Sequence, residues 1–168
     1  MERDFIKELG YRALDNRLKR ISDRMMHDTR KFFKAIDLDV EPSWHLVFKL
    51  LKENESLNMV EMAEQLGYTH PSMVIVLKKM TLKGYLVSER DAQDKRKQNV
   101  RLTEKSRKLL PQLEQIWESC ELALLKMLNE DLSIIPHLDH IESALKDVPL
   151  NDRFYEAYHH LQHKPNTG

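Results

Sequence analysis

The stretch that decides the fold runs from Asn58 to Thr103 and reads NMVEMAEQLGYTHPSMVIVLKKMTLKGYLVSERDAQDKRKQNVRLT. It opens as a short helix: Asn58 is suited to accept from the free amides of a first turn, and Glu61 stands three residues later to return a bond to the Asn58 amide. Met59, Met62, Ala63 and Leu66 then recur at helical spacing, and Gly67 supplies the left-handed residue that ends the helix. After the turn of Gly67 and Tyr68, Thr69 caps a second helix in which Met73, Val76, Leu77 and Met80 recur at intervals of three and four. Those four must face the first helix and the core. Thr69, His70, Pro71, Val74, Ile75 and Lys78 are thereby turned outward. The small Ala63 faces the turn, where a larger side chain would hold the two helices apart.

Gly84 closes the second helix. Tyr85 to Arg90 (YLVSER) and Gln98 to Thr103 (QNVRLT) are short and β-branched enough to pair as a two-stranded ribbon. The tip between them is DAQDKRK, with Lys95, Arg96 and Lys97 adjacent. From Lys78 to Lys108 there are eleven Lys or Arg against four Asp or Glu, although the whole chain has a formal net charge of zero. Neutrality overall therefore hides a basic segment, the electrostatic footprint that a phosphate backbone selects. Helix spacing alone would equally suit an ordinary helical hairpin in a core. The basic ribbon beside it favours a helix-turn-helix whose second helix enters the major groove of duplex DNA while the hairpin reaches the backbone or the neighbouring minor groove.

The segment AEQLGYTHPSMVIVLKKMTLKGYLVSERDAQDKRKQNVRLTEKSRKLL resembles the winged helix-turn-helix core of the MarR (multiple antibiotic resistance regulator) family of bacterial transcription factors. Gly84, Tyr85 and Leu86, then Asp91, Asp94, Lys95 and Arg96, then Arg101, Leu102 and Thr103, are similar to that family's wing pattern. The motif-level match covers about fifty residues, and the helical layout on either side extends it from Asp4 to roughly Lys146. The resemblance implies a dimeric DNA-binding regulator, of a kind often released by small ligands. One departure is local: Val74 and Ile75 stand where members of this family commonly carry polar or arginine side chains. Apolar side chains read a thymine methyl but make no bidentate hydrogen bond to guanine. Base readout then falls on Thr69, His70, Ser72 and Lys78. The alternative, left open here, is that the apolar pair contacts a protein, making the chain an adaptor with weak or no specific DNA binding.

The expected DNA-facing set is Thr69, His70, Pro71, Ser72, Val74, Ile75, Lys78, Lys79, Lys95, Arg96, Lys97 and Arg101. Among these, Lys78, Lys79, Lys95, Arg96, Lys97 and Arg101 would meet the backbone, with Arg96 suited to a narrow A/T minor groove.

Outward from this head, Asp4 to about Ile36 reads as one long helix without proline, with Phe5, Leu9, Leu14, Leu18, Ile21, Met25, Phe32 and Phe33 in an apolar stripe. A stripe of that length exceeds what a small winged domain covers and argues for burial against a second subunit. Pro42 opens a short helix, Ser43 to Lys52, with Trp44, Leu46, Val47, Leu50 and Leu51 inward. Past Thr103 a helix runs to about Leu128, bent by Pro111, and another ends before Pro149. RFYEAYHHLQH near the end suits a short amphipathic helix packing Phe154, Tyr155, Tyr158 and Leu161. The expected architecture is mainly α (α+β): residues 1–38 a dimerisation helix, 39–103 the winged helix-turn-helix head, 104–148 further dimerisation helices, and 149–168 a short helix and frayed tail. With four glycines and six prolines in 168 residues, an all-β fold is excluded.

Phe32, Phe33, Trp44, His45 and Trp117 are the candidates for a cleft that takes a small aromatic ligand, with core packing as the competing reading. Cys120 lies on the apolar face of its helix, a structural thiol rather than a redox sensor, and a single cysteine leaves no internal disulfide. His159 and His163 have i, i+4 spacing beside His160, and His137 and His140 are three apart, but no Cys or carboxylate joins them, so surface histidines are expected and no metal. There is no Gly-rich phosphate loop, HExxH motif or nucleophile elbow, so neither an enzyme nor a cofactor is expected. No apolar run approaches a membrane span and the opening residues lack a leader pattern, which predicts a soluble, cytoplasmic protein with duplex DNA and a second copy of itself as partners.

Overall fold

The computed structural model describes residues 3–90 and 98–163. The chain divides into two compact units, Met1–Pro111 and Gln112–Gly168.

In place of one helix from Asp4 to Ile36 there is a four-residue helix α1 (Phe5–Glu8), a 3-10 turn (Gly10–Ala13) and then the 22-residue α2 (Leu14–Ala35). The cause is Gly10, whose φ of +58° is the left-handed conformation that stops a right-handed helix. The stretch holds no proline, so this one glycine makes the break. Asp4 caps α1 by accepting from the Lys7 amide at 3.2 Å and takes the Arg20 guanidinium at 3.1 Å, which ties the short helix to α2. That guanidinium bond holds the Asp4 carboxyl below its usual range. Within α2, Phe33 is buried while Leu14, Leu18, Ile21, Met25 and Phe32 stay exposed along one side.

A 3-10 turn (Pro42–Trp44) leads into α3 (His45–Glu53). Trp44, Val47, Phe48 and Leu51 are its buried side chains. Leu46 and Leu50, expected inward, are half-buried instead, and Phe48 is buried: the inward arc runs through Trp44, Val47, Phe48 and Leu51, at helical intervals of three and four, with Leu46 and Leu50 on its flank. The expected ribbon is the larger part of a three-stranded antiparallel sheet of order β1-β3-β2. β2 (Leu86–Arg90) pairs with β3 (Gln98–Leu102), and β1 (Leu57–Asn58) adds to the far side of β3 through Leu57 opposite Val100 and Asn58 opposite Asn99. Two residues carry no readable alternation, so β1 had no signal of its own.

Between β1 and β2 lie α4 (Met59–Leu66) and α5 (His70–Leu82), packed on each other and, through Met62, Ala63, Met73, Leu77 and Met80, on a core shared with Leu86, Val100 and Leu102. Tyr85 closes this core. Its ring meets Trp44 edge-on at 5.9 Å and Phe48 at 5.6 Å, and its carbonyl accepts from the fully buried Ser106 hydroxyl at 2.5 Å. Thr103 caps the next helix, α6 (Glu104–Met127), by accepting from the Ser106 amide at 3.3 Å, while its hydroxyl donates to the Gly84 carbonyl at 2.7 Å.

The second unit holds the rest of α6, then α7 (Ile134–Asp147) and α8 (Leu150–Gln162). Leu113 and Trp117 are buried, and α7 and α8 have no buried residue. The amphipathic tail helix forms as expected, but Phe154, Tyr155, Tyr158 and Leu161 are exposed rather than packed. No helix among the described residues is long and apolar enough to cross a membrane.

Candidate nucleic-acid interface

The helix-turn-helix is positioned by local chemistry that the sequence spells out. Asn58 accepts from the Val60 and Glu61 amides at 2.9 and 3.1 Å, and Glu61 accepts in return from the Asn58 amide at 3.0 Å, a complete capping box. Gly67 ends α4 at φ +64°, and the Tyr68 amide donates to the Ala63 carbonyl at 2.9 Å, which closes the turn. Thr69 then starts α5: its hydroxyl oxygen accepts from the Ser72 amide at 3.4 Å and shares a hydrogen with the Ser72 hydroxyl at 2.9 Å.

With Met73, Leu77 and Met80 committed to the core, the outer face of α5 follows from the 3.6-residue period. Thr69, His70, Pro71, Ser72, Val74, Ile75, Lys78 and Lys79 are all exposed. The two adjacent lysines part company. Lys78 lines a groove of about 830 Å³ with Val60, Val74, Leu82 and, from the wing strands, Ser88 and Gln98. Lys79 lines a second cavity of about 730 Å³, beside Lys83, Asp39, Phe33 and Trp44, with Leu82 common to the two.

That second cavity bears on the expected ligand cleft. Phe33 and Trp44 line it, and both are core side chains. Phe32 is exposed and does not line it, and His45 turns its Nδ1 to the Pro42 carbonyl at 2.8 Å. Trp117 is a buried residue of the second unit. Two of the five expected residues are thus brought to one cavity. Charged side chains at its rim are paired, Arg30 with Glu41 at 3.3 Å and Lys83 with Asp39 at 2.6 Å.

On the wing, Arg101 of β3 is ion-paired with Glu89 of β2, one diagonal step across the ladder. The Arg101 hydrogen bond holds the Glu89 carboxyl below its usual range, and the same contact raises the guanidinium further. A phosphate approaching Arg101 must therefore compete with a carboxylate already in place. Arg90 and Arg107 join Arg101 around a pocket of about 480 Å³ beside the wing strands, which Glu55 and Glu89 also line. Both added arginines fell inside the basic segment of the sequence without being singled out, because Arg107 lies past the wing, on α6, and only folding returns it to Arg101. Lys95, Arg96 and Lys97, expected at the wing tip, lie outside the described residues.

Cys120 is half-buried, and that burial pushes its thiol up, away from the reactive thiolate. Among the described residues no group of three or more His, Cys, Asp or Glu is placed to hold a metal.

Residues 38–97 match the family model described as the MarR family. No curated protein matches the chain. Solved structures do. S. aureus MepR in complex with DNA is 23% identical with a TM-score of 0.68, the match covering 79% of this chain and 97% of that one. The repressor CouR bound to a 23-mer DNA duplex is 24% identical with a TM-score of 0.62, covering 88% and 99%. A mutant of E. coli MarR complexed with operator DNA is 16% identical with a TM-score of 0.62, again covering 88% and 99%. At these identities the likeness is one of fold: mainly helical, with the small antiparallel sheet of a winged helix-turn-helix.

Proposed function

Starting from a chain whose residues 38–97 match the MarR family model and fold as a winged helix-turn-helix, we propose that the protein is a transcription regulator that binds double-stranded DNA sequence-specifically, as a homodimer on a palindromic operator. The observation that carries this reading is the outer face of α5, where Thr69 to Ser72, Val74, Ile75 and Lys78 stand free of the core beside wing strands that bear Arg90 and Arg101. An exposed helix of this kind reads base edges in a major groove while the wing meets the backbone. Similar folds held on DNA in the MepR, CouR and MarR complexes support the same docking.

The apolar row of Leu14, Leu18, Ile21 and Met25 on α2, and the exposed Leu122, Leu125, Ile134 and Ile135 of the second unit, support burial against a second copy. Two heads then engage successive major grooves about 34 Å apart, one helical turn. The cavity at Phe33 and Trp44 touches both the loop after α2 and the last turn of α5, so a small aromatic ligand seated there acts on the reading helix if it binds one position of that helix better than another.

A mobility-shift assay on genomic fragments at two salt concentrations tests the reading. Discrete, sequence-dependent complexes that weaken steeply with salt are expected. Weak retardation of every fragment alike would overturn it in favour of a protein-docking adaptor built on Val74 and Ile75. Titration with phenolic acids tests the ligand, with loss of the complex expected.

A further inference from the structure

Resting on that function, we infer that α5 recognises its operator chiefly through thymine methyl groups, with Val74 and Ile75 as the reading side chains, so that each half-site is thymine-rich where this helix lies. Between Thr69 and Leu82 there is no Arg, Asn, Gln, Asp or Glu. The side chains that make paired hydrogen bonds to adenine, or accept from cytosine, are therefore missing from the whole helix, and Lys78 and Lys79 are its only side chains of the arginine-or-lysine kind that pairs with guanine. The two hydroxyls at its start are already engaged, Thr69 with Ser72 at 2.9 Å and with the Ser72 amide at 3.4 Å.

What the helix offers instead is a stripe at positions i, i+3, i+4 and i+7: Pro71, Val74, Ile75 and Lys78, all exposed. Three are apolar and the fourth is a cation. Val74 and Ile75 remain 40% and 56% accessible, which in the free protein costs helix propensity and apolar hydration with no packing in return. Each has one dominant rotamer in a helix, so it is a stiff knob that loses little entropy on contact. The thymine methyl is the apolar group on the major-groove edge of a base pair, and it is the chemistry such knobs fit. Val74 lies in the groove it shares with Lys78 and the wing residue Ser88, whereas Ile75 does not line that groove, so the two side chains address different base steps.

The test is a selection of bound duplexes from a random library by the full-length protein, followed by affinity measurements on the selected duplex made with thymine or with uracil, which lacks the methyl. The wild-type protein is expected to enrich thymine-containing half-sites and to bind the uracil duplex more weakly by about tenfold for the two methyls lost in each half-site, on the order of a hundredfold for the dimer on both. The variant Val74→Ala/Ile75→Ala, at exposed positions where alanine favours the helix, is expected to bind both duplexes alike. Equal wild-type affinity for the two duplexes, or a thymine preference that survives in the variant, overturns the methyl reading while leaving the regulator intact. Failure to enrich any sequence removes the regulator itself and this inference with it.

Discussion

The Tyr85 hydroxyl donates to the Asp39 carbonyl oxygen at 2.9 Å, across 46 residues of sequence. The Asp39 carboxylate also takes the Lys83 ammonium at 2.6 Å, so both the backbone and the side chain of one loop residue hold the turn that ends α5. Burial raises the Tyr85 phenol, which keeps it a donor across the ordinary pH range. Tyr85→Phe keeps the ring between Trp44 and Phe48 but strands the Asp39 carbonyl. It is expected to cost about 1 kcal/mol, seen as a lower urea midpoint with an unchanged slope. Asp39→Asn, which spares the carbonyl and loses an exposed ion pair, is expected to cost less and to lose its effect in high salt.

Glu89 restrains Arg101, so Glu89→Gln is expected to strengthen binding to duplex DNA by a few-fold and to steepen its salt dependence, as measured by fluorescence anisotropy over a salt series. The same pair has a pH signature. Because the Arg101 guanidinium holds the folded Glu89 carboxyl below the usual glutamate range, the pair's contribution to stability is present above that range and is lost as pH falls through the lowered one. A carboxyl titration followed by NMR is expected to show Glu89 moving back up in Arg101→Ala.

Lys78 and Lys79 are neighbours with different surroundings, and DNA binding is expected to tell them apart. Lys78→Ala should lower the affinity and reduce the slope of log affinity against log salt by about two per dimer, one phosphate contact per subunit. Lys79→Ala, at the cavity of Phe33 and Trp44, should leave the slope nearly unchanged. Equal slopes for the two variants would mean that the reading face of α5 has been placed wrongly.

The capping box at Asn58 is a stability device away from the reading face. Asn58→Ala is expected to destabilise the protein by about 1 kcal/mol in urea unfolding, while base preference stays that of the wild type.

A single charge on the exposed apolar side of α2 tests the proposed dimer. Ile21→Asp is expected to shift the protein to monomer in sedimentation and to abolish the two-headed complex, with helix content by circular dichroism retained because Ile21 is not part of the core of its own chain.

The reading head was legible because its signals are local: a capping box, a glycine C-cap, a Thr N-cap and a three-and-four apolar rhythm each act within a few residues. Asn58, Gly67 and Thr69 occupy those positions in the fold. Where the sequence reading missed, the information was either short or distant. Gly10 breaks the N-terminal helix through one dihedral angle, in a stretch whose apolar rhythm runs on unbroken. β1 is two residues long and exists because β3 offers it a ladder. Arg107 belongs with Arg101 only after α6 folds back beside the wing.

The amino-acid order by itself determined the helix-turn-helix, the phase of α5 and hence which side chains leave the core, since a helix's period converts spacing into direction without help from the rest of the chain. Tertiary structure alone decided what each outward cation meets: Glu89 for Arg101, a wing groove for Lys78, and the Asp39 cavity for Lys79. The reason is that charge partners are set by distance through space, and no periodicity encodes the proximity of residues that lie a strand or a domain apart.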